Sequence, residues 1–323
     1  MANVVTSVAR RALAPPPVGG KRRKALLPRA RRNGTAWGFL IGAVLAFSFF
    51  SWYPIVREVL MSFQKPVYGG GNTWAGWGNY VRIFRDPTFW QAWRNTVEFT
   101  VLALVIGYLV PFAVAILLNE LRHARGYLRI IVYLPVMLPP ASALLLFVYF
   151  YNPQYGLFDD VLHFLHLPTS QWVFQPGTGF ISTAMVSVVI ASTWMNMGSA
   201  TLIYLAALQN IPGELYEAAE LEGAGIFRRI RHVTIPQTRL ILVLLLMLQV
   251  VATMQMFIES FVLTNGGGGV GNNTLSVVML IYQYAFAMSG ASNYNSASAL
   301  GVVLLLVLAL FSGGFLWATR ERD

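Results

Sequence analysis

Residues 209–237 read QNIPGELYEAAELEGAGIFRRIRHVTIPQ, a polar stretch between two strongly apolar segments. Pro212 suits the first position of a helix, where its missing N–H costs no hydrogen bond. Gly223 predicts the end of that helix, because glycine readily adopts the left-handed conformation of a C′ residue. Three arginines then mark a basic half-helix before Pro236 opens the next apolar segment. The pattern predicts two short amphipathic helices that meet at a glycine; an ordinary interhelical loop with a short surface helix is the alternative.

The composition indicates a polytopic membrane protein. Of the 323 residues, 56% are apolar and 11% are charged, whereas soluble domains carry about 25% charged residues. The chain has no cysteine, which excludes disulfides, thiolate metal sites and a cysteine nucleophile. Its net charge of +10 comes from Lys and Arg in the N-terminal segment and at the ends of apolar segments. That placement is typical of the cytoplasmic side of a membrane protein and not of a nucleic-acid-binding protein.

Six apolar segments have the length of about 20 residues that a membrane-spanning helix needs. They are residues 36–57, 95–118, 129–151, 179–208, 238–263 and 297–318. Prolines within several of them predict kinked helices, whose backbone groups neighbouring helices satisfy. We therefore expect an all-α transmembrane fold, a six-helix domain over residues 36–320.

The N-terminal segment, residues 1–35, is rich in Arg, Lys and Pro. Such a composition predicts a disordered tail that rests against anionic lipid headgroups. A secretory signal peptide is the alternative, but the apolar segment that follows is longer than a typical signal sequence has.

The distribution of positive charge predicts the orientation of the chain across the membrane. The N-terminal segment, residues 119–129, residues 209–239 and the C-terminal end together hold 18 of the 23 Lys and Arg residues. Because positively charged connections stay in the cytoplasm, both termini and residues 209–237 are predicted to be cytoplasmic, in a multi-pass membrane protein.

The connections predicted to face outward differ in character. Residues 62–94 are rich in aromatics, which favours an interfacial belt or a platform for an external partner, and Asp86-Pro87 predicts a turn or a helix start. Residues 152–178 carry Asp160, His163 and His166 at a metal-like spacing, although a surface helix is the simpler interpretation. The glycine-rich residues 264–274 lack the lysine of a phosphate-binding loop and are interpreted as a flexible turn.

Motifs for catalysis are absent from the sequence. No G-x-x-x-x-G-K-[ST] nucleotide motif, no helical H-E-x-x-H and no Ser-His-Asp set is present, and the four histidines lie in predicted loops. We therefore predict no catalytic residue, no metal site, no cofactor and no enzyme activity for this chain.

Polar residues inside the fourth and fifth spans are the candidates for a solute path. The candidates are Ser192, Trp194, Asn196, Ser199, Gln255 and Glu259, with Gln249 and Thr253 on one face nearby. The alternative is that these groups only join helices by hydrogen bonds. Glu259 stands apart because an intramembrane carboxylate is energetically expensive and usually functional. Neutral polar groups with aromatics favour a hydroxyl-rich solute, and no chain of ionisable residues is present to relay protons.

Residues 209–237 resemble the EAA loop of permease subunits in binding-protein-dependent ABC importers. That pattern is E-A-A, three residues, Gly, nine residues, Ile, one residue, Leu-Pro. Here it reads Glu217-Ala218-Ala219, Gly223, Val233 and Ile235-Pro236. The two departures, Val for Ile and Ile for Leu, are conservative.

Other segments resemble the maltose-type, sugar-importing branch. They are residues 77–80 and 86–90, residues 205–212, and residues 257–259 leading into Leu263-Thr264-Asn265-Gly266-Gly267. Gly268 stands where this branch usually has a proline. The resemblance covers about residues 36–320 and leaves out the basic tail.

The resemblance implies the fold of a type I ABC importer permease, a place in the bacterial cytoplasmic membrane and a role in sugar import by alternating access. It also implies the partners: cytoplasmic ABC ATPase subunits, a second homologous permease and an extracytoplasmic sugar-binding protein. The EAA loop would be the coupling helix, in which Ala218 and Ala219 allow close approach, Glu217 pairs with a basic group of the ATPase and Gly223 permits a turn. We expect the sugar to pass through a cavity lined by spans four to six. The alternatives are glycerol phosphate or a polyamine as the solute, or a membrane scaffold outside this family.

Overall fold

The computed structural model describes residues 29–67, 71–121, 125–175, 181–287 and 293–320. It divides into two units, residues 1–56 and residues 57–323. The described part of the first unit contains helix α1 (Arg29–Phe47) and a π-helical turn, Ser48–Trp52, and the boundary between the units falls within helix α2 (Tyr53–Ser62). Helix α1 thus begins inside the segment predicted as a disordered tail, and residues 1–28 of that prediction lie outside the described residues.

The second unit is almost entirely helical. After α2 come a two-stranded antiparallel sheet, β1 (Gln64–Pro66) and β2 (Asn72–Trp74), and the short helix α3 (Gly78–Arg85). The next helices are α4 (Pro87–Glu120), α5 (Arg125–Tyr133), α6 (Pro140–Phe150), α7 (Leu157–Phe164) and α8 (Thr183–Gln209). The last are α9 (Gly213–Leu221), α10 (Ile226–Arg229), α11 (Ile235–Thr253), α12 (Ile258–Leu263), α13 (Val277–Tyr282) and α14 (Tyr294–Thr319).

The predicted all-α transmembrane fold is confirmed. Within the described ranges, five helical stretches are long and apolar enough to cross a membrane: residues 40–62, 87–120, 183–209, 226–253 and 294–319. A sixth candidate is a broken pair, Gly126–Met137 and Pro140–Phe150, bent by 97°. Pro139 has the extended ψ of 130° at the break, because the residue before a proline is kept out of the helical region. The third predicted span is therefore kinked, as its prolines indicated.

The fifth span differs from its prediction at both ends. It begins at residue 226 as part of one continuous helical stretch, and it ends at Thr253 and not at residue 263. Phe257 has non-helical angles, φ −141° and ψ −61°, before α12 begins. The hydroxyl of Ser276 donates to the Met256 carbonyl at 2.6 Å. A side chain from the segment before α13 thus satisfies a backbone carbonyl that the break leaves free.

A buried core joins α4, α6 and α8. It includes Phe99, Leu144, Phe147 and Met185, and the Tyr151 hydroxyl donates to the Ser187 carbonyl at 2.7 Å. Gly198 lies where α8 packs closely against the kinked third span. A Cβ at that position would lie 2.6 Å from the Val132 carbonyl oxygen.

Asp86 caps α4 and links it to the segment after α13. One carboxylate oxygen accepts from the Thr88 N–H at 2.9 Å, and the other accepts from the Tyr284 hydroxyl at 2.6 Å. Partial burial opposes the charged form, but these hydrogen bonds outweigh it and hold the pKa of Asp86 below its usual value. The predicted helix start at Asp86-Pro87 is confirmed.

Residues 264–274 are held by hydrogen bonds, which differs from the flexible turn predicted. The amide of Asn95 in α4 donates to the carbonyls of Asn272 and Leu275 at 2.7 and 3.0 Å. The amide of Asn273 donates to the Gln175 carbonyl at 2.6 Å. Side-chain hydrogen bonds to the loop from Asn95 and from the loop through Asn273 therefore hold the glycine-rich segment in place.

Residues 157–164 form the surface helix that was the simpler interpretation of the Asp and His residues there. The carboxylate of Asp159 is buried and accepts from the Trp172 indole at 2.9 Å. Across the part of the chain that the structure describes, no cluster of three or more Asp, Glu, His or Cys residues could hold a metal ion.

Candidate functional site

A cavity of about 550 Å³ lies between α4, α8, α11 and α12. It brings together five of the six predicted path residues: Ser192, Asn196, Ser199, Gln255 and Glu259. Gln249 and Thr253 of α11 also line it. The polar side chains of α8 therefore face the polar side chains at the end of the fifth span across this cavity.

Hydrogen bonds orient the polar groups of this cavity. The hydroxyl of Ser192 donates to Glu259 Oε1 at 3.0 Å. The Asn196 amide nitrogen donates to the Ser192 carbonyl at 2.9 Å, and that of Gln255 donates to the Val251 carbonyl at 3.0 Å. Because both amides use their nitrogen on the backbone, their oxygens can accept hydrogen bonds from a bound hydroxyl group. Asn196, Ser199 and Gln255 are exposed at the cavity wall.

The structure places Trp194 outside this lining. Its ring lies 5.3 Å from the ring of Phe147, between α8 and α6. Residue 194 is two positions from Ser192 and Asn196, so a helix turns it away from the face that those residues share.

The expectation that spans four to six line the cavity needs correction. The lining comes from α4, α8 and the fifth span with α12. The sixth span, α14, instead packs its buried residues, such as Leu300 and Val302, against α3 and α13. The cause is tertiary: α14 buries these residues against α3 and α13, and no local pattern in the sequence indicates those contacts.

The residues that α4 contributes were missed as candidates. Gly107, Tyr108 and, from α8, Thr193 line the cavity. A Cβ on Gly107 would lie 3.2 Å from Thr193 Oγ1 and 3.3 Å from Gln249 Nε2. Glycine therefore lets three spans approach while their polar groups stay in the cavity. A Gly-Tyr pair inside an otherwise apolar span was the signal available in the sequence.

Residues 209–237 are called the EAA-like segment. Their first helix, α9, ends in a Schellman motif. Gly223 has φ +75°, its N–H donates to the Glu220 carbonyl, and the Ala224 N–H donates to the Ala219 carbonyl, both at 2.9 Å. This is the 5→2 and 6→1 pattern of that motif, so the predicted C′ role of Gly223 is confirmed. The helix begins at Gly213, and Pro212 precedes it as the N-cap residue. Glu217 and Ala218 are exposed on α9, and Ala219 is half-buried.

The second half of the segment is continuous with the fifth span. Helix α10 runs through a π-helical turn, Ile230–Thr234, into α11. The Ile235 N–H donates to the Ile230 carbonyl across the wide turn, immediately before Pro236, which has no N–H to donate. Val233 and Pro236 thus lie within one helical stretch, and the separate basic half-helix that was predicted does not form.

Two side-chain contacts join α9 to this stretch. The hydroxyls of Tyr216 and Thr234 are 3.0 Å apart, and Glu220 forms an ion pair with Arg229. The EAA-like residues therefore lie at one end of the helical stretch 226–253, and cavity residues such as Gln249 and Thr253 lie at its other end.

Several named transport proteins are similar in sequence to this chain. It is 35% identical to the probable ABC transporter permease protein YurN of Bacillus subtilis over 84% of this chain and 91% of that one. It is 32% identical to the lactose transport system permease protein LacF of Rhizobium radiobacter, over 88% and 94% of the two chains. It is 30% identical to the trehalose/maltose transport system permease protein MalF of Thermococcus litoralis, over 84% and 86%.

The fold matches a solved transporter structure, and the sequence matches a family. A chain of the bacterial alginate ABC transporter, in complex with an alginate pentasaccharide-bound periplasmic protein, superimposes with a TM-score of 0.77 at 22% identity, over 91% of this chain and 97% of that one. Residues 101–318 match the family described as binding-protein-dependent transport system inner membrane component. This chain belongs to that family of inner membrane transport components.

Proposed function

We propose that this chain is the membrane permease subunit of an ATP-driven ABC importer and that its solute is a sugar. The observation that carries the proposal is the continuous helical stretch 226–253, which runs from the EAA-like segment to the polar cavity. The stretch has 28 residues, which at about 1.5 Å per residue extend about 42 Å, so a displacement at the EAA-like segment can be transmitted along one helix to the cavity. Relatives named for lactose, arabinooligosaccharide and trehalose/maltose transport support the sugar.

The proposed mechanism combines the positions of the residues with the role that the family resemblance implies for the EAA-like segment. A separate cytoplasmic ATPase holds α9 in a cleft, with Glu217 paired to a basic group and the small side chains of Ala218 and Ala219 allowing close contact. Closure of the ATPase displaces α9, and Gly223, Val233 and Pro236 link that displacement to the fifth span. The span then shifts against α4 and α8 and changes the access to the cavity. ATP is bound and hydrolysed by the partner and not by this chain.

The cavity favours an uncharged, hydroxyl-rich solute. Among the described residues that line it, Glu259 is the charged side chain, and the other polar groups are neutral hydroxyls and amides. A phosphorylated solute would require basic groups, and a polyamine would require several carboxylates. A sugar whose hydroxyls donate two hydrogen bonds to the Glu259 carboxylate fits the residues of the cavity better than a phosphorylated solute or a polyamine does.

The remaining partners complete the importer. A second, homologous permease closes the exposed side of the cavity at Asn196 and Ser199, and an extracytoplasmic sugar-binding protein delivers the solute to the end that carries α3. The exposed rings of Trp74 and Trp77 at that end suit either the membrane interface or contact with this protein.

Uptake of radiolabelled sugars tests the proposal. Cells that lack this chain should lose the uptake of at least one sugar from a panel of lactose, maltose, trehalose and arabinooligosaccharides, and the wild-type gene should restore it. The restored uptake should disappear when cellular ATP is depleted. Restoration that is insensitive to ATP would contradict an ATP-driven importer, and unchanged uptake of every sugar in the panel would contradict these sugars as its solutes.

Glu259→Gln should reduce uptake at low sugar concentration. The amide keeps the size of the side chain but loses the charge, and hydrogen bonds to charged groups contribute about 1.5–3 kcal/mol, so we expect a loss of about tenfold. The loss should appear as a higher sugar concentration at half-maximal uptake. The amount of permease inserted in the membrane should be unchanged. Asp160→Asn, which removes an exposed carboxylate remote from the cavity, is the matched control. Unchanged transport kinetics in Glu259→Gln would leave Glu259 with a packing role only.

A further inference from the structure

The connection between α9 and the fifth span is conformationally permissive. It contains two glycines, Gly223 and Gly225, and a Cβ at either would meet no atom within 4 Å. Neither glycine is therefore packed against another part of the protein on the side where a side chain would project. Side chains elsewhere must fix the angle between α9 and the helical stretch 226–253.

Two contacts on one face of α9 can fix that angle. Tyr216 and Glu220 are four residues apart, so they lie on the same helix face, one turn from each other. Tyr216 contacts Thr234 with a distance of 3.0 Å between the hydroxyl oxygens, and Glu220 contacts Arg229. Two attachments one turn apart restrain α9 against both tilting and rotation, which a single attachment would not do.

The two contacts differ in their surroundings. Thr234 is 3% exposed, and its carbonyl accepts from the Thr238 hydroxyl at 2.8 Å. Glu220 is 59% exposed, whereas Arg229 is 17% exposed. Ion pairs with an exposed partner contribute little to stability, whereas a buried hydroxyl that loses its partner is penalised. The Tyr216–Thr234 hydrogen bond is therefore the stronger of the two restraints.

The position of Thr234 on the fifth span is also unusual. Thr234 is the last residue of the π-helical turn Ile230–Thr234, and such turns occur often at functional sites in helices. The turn changes the direction of the following side chains relative to a regular α-helix. It ends with the residue that meets Tyr216.

We propose that Tyr216, Glu220, Arg229 and Thr234 form a clamp that makes α9 and the helical stretch 226–253 move as one body. These are positioning residues, since they act through the residues that the ATPase contacts and not on the solute. The proposal rests on the proposed role of α9 as the ATPase contact. Without the clamp, closure of the ATPase would turn α9 about its glycine connection and leave the fifth span behind.

Spin-label distances test the clamp in the full-length chain. The sequence has no cysteine, so labels attach only at introduced sites, and Leu221→Cys with Leu240→Cys places them at exposed positions on α9 and α11. Double electron–electron resonance in lipid nanodiscs should give one narrow distance distribution. Tyr216→Phe, Thr234→Val and the double variant should broaden it to the same extent, because each removes the same hydrogen bond. Tyr127→Phe, which alters an exposed tyrosine of α5, should leave it narrow.

Uptake in cells provides the second readout. Tyr216→Phe and Thr234→Val, without the labels, should each lower sugar uptake about fivefold, the factor expected from one lost hydrogen bond, with the ATPase still copurifying. An unchanged distance distribution would show that no clamp holds α9. Broadened distances with normal uptake would show that the clamp has no role in coupling. Because the distances require neither ATPase nor solute, they separate failure of the clamp from failure of the proposed transport function.

Discussion

Gly198→Ala is expected to destabilise the protein by about 3 kcal/mol, the upper part of the range for overpacking a filled interior. A Cβ at this position would lie 2.6 Å from the Val132 carbonyl oxygen, 2.9 Å from Val136 Cγ2 and 3.0 Å from Tyr133 Cα. Two of these three atoms belong to the backbone, which cannot rotate away as a side chain would. The third span must therefore separate from α8. Unfolding in detergent, followed by tryptophan fluorescence, measures the loss.

Gly313→Ala is the matched control for Gly198→Ala. Gly313 also lies inside a membrane-spanning helix, but its added Cβ would meet no atom within 4 Å. Alanine has the higher helix propensity, so this variant should be as stable as the wild type or slightly more stable. Equal stability of the two variants would show that α8 does not pack on the third span through Gly198.

Gly223→Val should abolish the coupling of ATP hydrolysis to transport. The left-handed conformation costs about 1–2 kcal/mol for residues with a Cβ, and a β-branched residue is a genuine outlier there. Space is not the cause, because nothing lies within 4 Å of the added Cβ. The Schellman motif should open and α9 should lose its defined end. We expect sugar uptake to fall by more than about tenfold, with the permease inserted in normal amounts and ATP hydrolysis lost or no longer stimulated by the solute.

Two further variants distinguish the effect of backbone strain in Gly223→Val from the effect of its larger side chain. Gly225 is equally open but has φ −68° and ψ 169°, angles that valine adopts without strain, so Gly225→Val should transport normally. Asparagine tolerates the left-handed region, so Gly223→Asn should retain most of the uptake that Gly223→Val loses. Equal losses in Gly223→Val and Gly225→Val would exclude the conformational explanation. Normal uptake in Gly223→Val would contradict the coupling role.

Features with a local cause could be predicted from the sequence. The C′ role of Gly223 follows from its own missing Cβ, and the start of α4 follows from Asp86 and Pro87. The kink of the third span follows from Pro139 and Pro140. The polar stripe of Ser192, Asn196 and Ser199 follows from helical spacing alone. In each case the residues that determine the feature are neighbours in the chain.

Features with a tertiary cause could not be predicted. The break after Thr253 depends on Ser276, and the order of the glycine-rich loop depends on Asn95, which lies far away in the chain. Trp194 was included with the path residues because an aromatic ring beside the polar stripe would suit a hydroxyl-rich solute, yet its ring packs against that of Phe147. The continuity of residues 226–253 through Pro236 depends on a π-helical turn, for which the sequence carries no clear signal. The orientation of the termini and the contacts of the EAA-like residues with a partner stay predictions.

The open wall of the cavity has a consequence for how long a solute stays. Asn196, Ser199 and Gln255 are exposed at the cavity wall, so water can reach their free hydrogen-bonding groups whenever the cavity is open and holds no solute. A sugar that displaces this water exchanges one set of hydrogen bonds for a nearly equal set, and the net gain per bond is small. Occupancy is then brief, and the chain is suited to rapid release and not to storage. Tight retention of a scarce sugar must be achieved before the sugar reaches the membrane.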